Sequence, residues 1–114
     1  MTKISILHNP RCSKSRQGLE LIRGKNIEFQ VIEYLKMPLS KTQLNSLFEL
    51  LSKYYSIKDF TRVKEKEFGH DIEKLTKSSW INIVYETPKL IERPILFNET
   101  KVIIGRPPEN LLSF

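Results

Sequence analysis

Cys12 is the only cysteine in the 114-residue chain, and it sits where a short apolar run gives way to a helical pattern. A helix N-terminus offers unpaired backbone N–H groups and a partial positive charge, both of which favour a thiolate over a thiol. Arg11 adjoins the cysteine, Ser15 can offer it a hydroxyl hydrogen bond, and Arg16 lies one helical turn on. That setting predicts a pKa below the ~8.5 of a free thiol and a nucleophile at neutral pH. The competing reading is an inert buried cysteine, which a loop–helix junction flanked by arginines disfavours. One cysteine excludes an internal disulfide and a zinc site built on paired thiolates. Any redox cycle through Cys12 must therefore take its second thiol from outside the chain.

His8 and Asn9 immediately precede this segment. His8 either orients the cysteine loop through hydrogen bonds or is simply satisfied at a strand end, and the residues leave both readings open. His70, beside Gly69 and Asp71, reads as a surface residue. Neither histidine has a second ligand at metal-binding spacing, so no metal is expected. Trp80 reads as core.

These side chains need a scaffold, and the pattern of the chain supplies one. Ile4 to Leu7 fits a short buried strand that stops at the turn signal His8-Asn9-Pro10. A helix is predicted from Ser13 to about Gly24 on Leu19, Leu21 and Ile22, then a second strand on Phe29, Val31 and Ile32. Strand, helix and strand over about thirty residues match a right-handed βαβ unit with parallel strands. Ser40-Lys41-Thr42-Gln43 reads as a capping box, followed by an apolar stripe at Leu44, Leu47, Phe48 and Leu51. The charged stretch from Ser56 to Leu75 predicts short helical pieces broken at Gly69, and a further helix follows from about Ser78 to Glu86. Ile95–Phe97 and Val102–Ile104 read as a β-hairpin, after which Pro107-Pro108 can open a last short helix. The expected fold is α/β and thioredoxin-like: a mixed four-stranded sheet flanked by helices, with a helical insertion between strands 2 and 3. The whole of 1–114 is expected to form a single domain.

Composition narrows the partners. The charged fraction is 28% and the apolar fraction 39%, as in a globular chain, and no stretch is apolar enough for a membrane span. The N-terminus lacks the hydrophobic region of a signal peptide, so a cytoplasmic location is expected. A net charge of +6 suits an anionic partner. Nucleic acid is disfavoured, because the charges from Lys64 to Lys77 interleave in sign and no aromatic-studded basic run appears.

The segment His8-Asn9-Pro10-Arg11-Cys12-Ser13-Lys14-Ser15-Arg16 resembles the active-site loop of the glutaredoxin-coupled arsenate reductases. Glu92-Arg93-Pro94-Ile95 and Gly105-Arg106-Pro107-Pro108-Glu109 match two further signatures of that family, in order and over essentially the whole chain. The resemblance implies that Cys12 attacks arsenate to form a thiol–arsenate adduct. Glutathione, a co-substrate, then attacks the adduct, and glutaredoxin regenerates the thiolate; arsenite leaves, and no bound cofactor is used. It also implies three arginines around the oxyanion, mapped onto Arg93, Arg106 and Arg62, and a cis peptide before Pro94. Planar guanidinium forks suit tetrahedral oxyanions, which agrees with that assignment. His8, Asn9, Ser15, Arg16 and Pro94 are the expected supporting residues.

Two departures from the family bear on the substrate. The chain ends at Ser113-Phe114, where reductases of the family usually continue, and its loop reads Cys-Ser-Lys-Ser. A C-x-x-S thiol on this scaffold can also reduce glutathione mixed disulfides, so a thiol-disulfide reductase is one alternative. A non-catalytic regulator that binds RNA polymerase is the other. Ser15 in place of a second cysteine excludes the intramolecular disulfide switch many such regulators carry.

Overall fold

The computed structural model describes residues 3–114, which fall into two compact units. The first comprises the chain up to Met37 together with Arg93–Phe114, and the second is Pro38–Glu92.

The first unit holds one four-stranded sheet. Its strands are β1 (Ser5–Leu7), β2 (Gln30–Ile32), β3 (Ile95–Phe97) and β4 (Val102–Ile104), in the order β2-β1-β3-β4. β1 runs parallel to β2 and antiparallel to β3, and β3 pairs antiparallel with β4. The register sets Ile6 opposite Val31 on one side and Leu96 on the other. As a central strand β1 is buried along its whole length, which is why its sequence reads as an unbroken apolar run. The helix α1 (Ser13–Arg23) makes the crossover from β1 to β2. It buries Ser15, Gly18, Leu19 and Ile22, spaced at i, i+3, i+4 and i+7. Leu19 and Ile22 pack with Ile6, Leu96 and Leu111 into the core of this unit. Leu111 comes from a 3-10 helix at Pro108–Ser113, opened by the proline pair.

Close approach of backbone decides one corner of this unit. A Cβ on Gly18 would stand 2.8 Å from the Pro94 ring, and one on Gly105 would stand 2.7 Å from it. Leu111 would crowd both, at 2.9 Å. The two glycines thus seat the ring of Pro94 directly, and the backbone N–H of Gly105 donates to the Pro94 carbonyl at 2.8 Å. The Arg93–Pro94 peptide is cis, as expected, and so is Arg106–Pro107, which the sequence reading did not anticipate.

The second unit is helical. The capping box of Ser40 and Gln43 forms at the start of α2 (Lys41–Leu51), which buries Leu44, Leu47, Leu50 and Leu51. α3 (Lys77–Glu86) starts one residue before the expected position, because Thr76 accepts from the Ser79 N–H and caps it. The two helices pack on each other. Phe48, Phe60 and Trp80 form an aromatic cluster with centroids 5.2–5.7 Å apart, and the Trp80 indole N–H donates to Thr61 Oγ1 at 2.8 Å. Between α2 and α3 the chain makes turns and two single-turn 3-10 helices, Ile57–Asp59 and Ile72–Lys74; Gly69 adopts a φ of +53°. Among the described residues no helix is long and apolar enough to cross a membrane.

Candidate active site

Cys12 is the N-cap residue of α1, in extended backbone conformation, and its side chain is partly exposed. Its backbone N–H donates to the Asn9 carbonyl at 3.0 Å, and its carbonyl accepts the first helical hydrogen bond, from Arg16. The sulfur makes no full capping bond, yet the Ser15 N–H lies close enough to favour the thiolate.

Two arginines from the far end of the same unit converge on this sulfur. Arg106 Nη2 stands 3.5 Å from Cys12 Sγ, while its Nε donates to the Arg93 carbonyl at 2.9 Å. Arg93 is buried, and its guanidinium also hydrogen-bonds the sulfur. Partial burial alone would push the thiol up. The Ser15 N–H, the Arg93 hydrogen bond and the charges of Arg106 and Arg93 together outweigh it and hold the thiol below its ordinary value.

The supporting residues brace the loop rather than the sulfur. The Ser15 hydroxyl, expected to face Cys12, accepts instead from the Asn9 N–H at 3.0 Å and lies 2.7 Å from His8 Nδ1. Ser15 is fully buried, so its hydroxyl needs these partners, and Cys12 is served by its backbone. Asn9 Oδ1 accepts from the Arg11 N–H at 3.1 Å, closing an Asx turn before the cysteine. Arg16 donates to the Pro10 carbonyl at 2.8 Å across the loop, and the cations acting most strongly on Cys12 are Arg106 and Arg93. His8 is buried at the end of β1 and its pKa is lowered, chiefly by burial and further by Arg23 and Arg16. Glu33 and Ser15 pull the other way. Burial thus favours the neutral form of the imidazole beside the Ser15 hydroxyl.

Arg62 belongs to the helical unit and is held there by two carboxylates. Its Nη1 donates to Glu92 at 2.8 Å, and its Nη2 and Nε donate to Glu65 at 3.1 and 3.3 Å. Burial would lower its pKa, but Glu92 and Glu65 outweigh this and raise it. Of the expected oxyanion arginines, Arg93 and Arg106 share the unit of Cys12, and Arg62 is engaged with acids of its own unit.

Sequence reasoning missed Tyr34, which is fully buried just beyond β2 with its hydroxyl 3.4 Å from Arg93 Nη1. Nothing in the local pattern distinguishes it from a core aromatic, and its partner lies 59 residues away.

Comparison with known proteins follows the same lines. The ArsC family model matches residues 7–114. An uncharacterized protein of Escherichia coli K12, YfgD, is 40% identical over 99% of this chain and 98% of its own length. An arsenate reductase of Neisseria meningitidis serogroup A is 38% identical over 97% of each chain. The solved structure of arsenate reductase from Vibrio cholerae superposes with a TM-score of 0.84 at 35% identity, covering 98% of this chain and 97% of that one. With its cysteine loop and its two Arg-Pro pairs in the matched region, the chain belongs to the ArsC family.

Proposed function

We propose that this protein reduces arsenate to arsenite through Cys12, with glutathione as the second thiol and glutaredoxin restoring the cysteine. The observation that carries the proposal is the convergence of a thiolate-favouring helix N-cap and two guanidinium groups on one sulfur. An oxyanion approaching a thiolate meets repulsion between like charges, and Arg93 and Arg106 offset it while presenting planar donor edges to tetrahedral oxygens. The Cys12 thiolate attacks pentavalent arsenic, an S–As bond forms, and one protonated oxygen leaves as water. Glutathione thiolate then attacks the Cys12 sulfur, and the S–As electron pair remains on arsenic, which departs as trivalent arsenite. The resulting Cys12–glutathione disulfide passes its glutathione to a glutaredoxin thiolate, which frees Cys12. The single cysteine suits this scheme, since every resolving thiol comes from elsewhere.

The test is NADPH oxidation coupled through glutathione reductase, glutathione and glutaredoxin, with and without arsenate. Arsenate-dependent oxidation is expected, and Cys12→Ser abolishes it while its circular dichroism spectrum stays that of the folded protein. Residual turnover within about tenfold of wild type in that variant contradicts the nucleophile assignment. A second reading, glutathione-dependent reduction of mixed disulfides, draws support from the double pairing of Arg62. Oxidation of NADPH with a glutathione mixed disulfide, and none with arsenate, selects it.

A further inference from the structure

We propose that Tyr34 is a positioning residue for Arg93 and, through Arg93, for Arg106. The turnover arm of its test rests on the function proposed above, while the thiolate arm does not.

A phenol buried without exposure is costly unless its hydroxyl has a partner, and a phenylalanine fills the same space without that cost. The Tyr34 hydroxyl accepts from Arg93 Nη1 at 3.4 Å. A guanidinium is planar and rigid, so fixing one of its nitrogens fixes the direction of its other N–H edges. Those edges include the one that hydrogen-bonds Cys12. The main chain of Arg93 extends the line of contacts, because its carbonyl holds Arg106 Nε at 2.9 Å while Arg106 Nη2 reaches Cys12 Sγ. Tyr34 thus stands at the buried end of a continuous chain of polar contacts, with the reactive sulfur at the other end. Pro94, seated between Gly18 and Gly105, fixes the same residue pair from the backbone side. Packing of Pro94 thus helps to hold Arg93 through its backbone, and Tyr34 helps to hold it through its side chain.

Tyr34→Phe keeps the ring and removes the anchor. Arg93 then keeps its charge and loses one of the contacts that orient it, so capture of the anion survives while alignment at Cys12 suffers. With arsenate, kcat is expected to fall about five- to twentyfold while KM stays within about threefold. The apparent pKa of Cys12, read from thiolate absorbance against pH, rises by about half a pH unit because its hydrogen bond from Arg93 is loosened. In an Arg93→Lys background the same Tyr34→Phe change alters both readings by less than about twofold, since its effect runs through the guanidinium. A second measurement leaves the hydroxyl in place: with 3-fluorotyrosine incorporated, Arg93→Lys shifts the fluorine resonance of the buried Tyr34. The proposal is overturned by a Tyr34→Phe protein that melts lower with unchanged kcat and thiolate pKa. It is equally overturned by an undiminished effect in the Arg93→Lys background, or by a fluorine resonance that Arg93→Lys leaves in place. Should wild-type protein reduce no arsenate, the function proposed above fails, and the thiolate titration and fluorine spectrum still decide the role of Tyr34.

Discussion

Cys12 combines two opposed influences, burial that disfavours charge and a ring of donors that favours it, and the donors prevail. Arg106 is the more open of the two cations, half-buried where Arg93 is buried, so its removal leaves the core intact. Arg106→Gln is expected to raise the apparent pKa of Cys12 by about one pH unit or less, since Arg93 and the Ser15 N–H remain. The wild-type value lies below that of a free thiol, and alkylation rate against pH measures both. The sign extends to stability. An acid whose pKa is depressed on folding contributes stability that is present above its unfolded pKa and is lost as pH falls through its folded pKa. The difference in melting temperature between wild type and Cys12→Ser therefore shrinks as pH falls below the native pKa. The cysteine and its loop were readable in sequence because their signals are local: a turn, a lone thiol, a helix start. The local pattern does not show that the Ser15 hydroxyl is engaged by the Asn9 N–H and His8 Nδ1, because that depends on the loop folding back over the helix start.

Strands and helices were readable for similar reasons. β3 and β4 fall on the expected residues, since three-residue apolar runs around Asn98-Glu99-Thr100 leave little choice of register. The capping box at Ser40 marks α2 by side-chain chemistry alone. What the pattern could not reveal is how elements distant in sequence approach one another, and Gly18, Pro94 and Gly105 are the clearest case. Pro94 stands out in the sequence, but neither glycine shows there that a methyl on it would meet the proline ring at under 3 Å. Pro94 is a ring and cannot swing aside, so the surroundings must shift. Gly18→Ala and Gly105→Ala are each expected to cost about 1–3 kcal/mol, against a helix-propensity gain for Gly18→Ala of about 1 kcal/mol. A lower urea midpoint with an unchanged m-value reads this out. Arsenate turnover should fall as well in the folded fraction, because Arg93 precedes the displaced proline. Equal stability of Gly105→Ala and wild type contradicts the packing account.

For the chain as a whole, the order of elements and the mixed sheet followed from the alternation of apolar runs and helical stripes, while the ion pairing of Arg62 did not. Its two carboxylate partners, Glu65 and Glu92, were visible as residues, but Glu92 lies thirty positions away and pairs with it only after folding. The net charge of +6 adds a long-range effect on anionic substrates. Raising ionic strength from about 0.01 to 0.3 M shortens the Debye length from about 30 Å to below 8 Å. The second-order rate for an oxyanion is expected to fall several-fold over that range, while alkylation of Cys12 by a neutral reagent changes little beyond the thiolate fraction. The central claim is that Arg93 and Arg106 orient an oxyanion at Cys12, and replacement of each by lysine tests it most directly. Lysine retains the charge and loses the planar fork. The measurement is kcat/KM for arsenate beside the rate of Cys12 alkylation by a neutral reagent, in wild type, Arg93→Lys and Arg106→Lys. The account predicts a loss of about ten- to a hundredfold with arsenate, ~1.4–2.8 kcal/mol, and a much smaller change in alkylation. An equal loss in both reactions, or none in either, contradicts it.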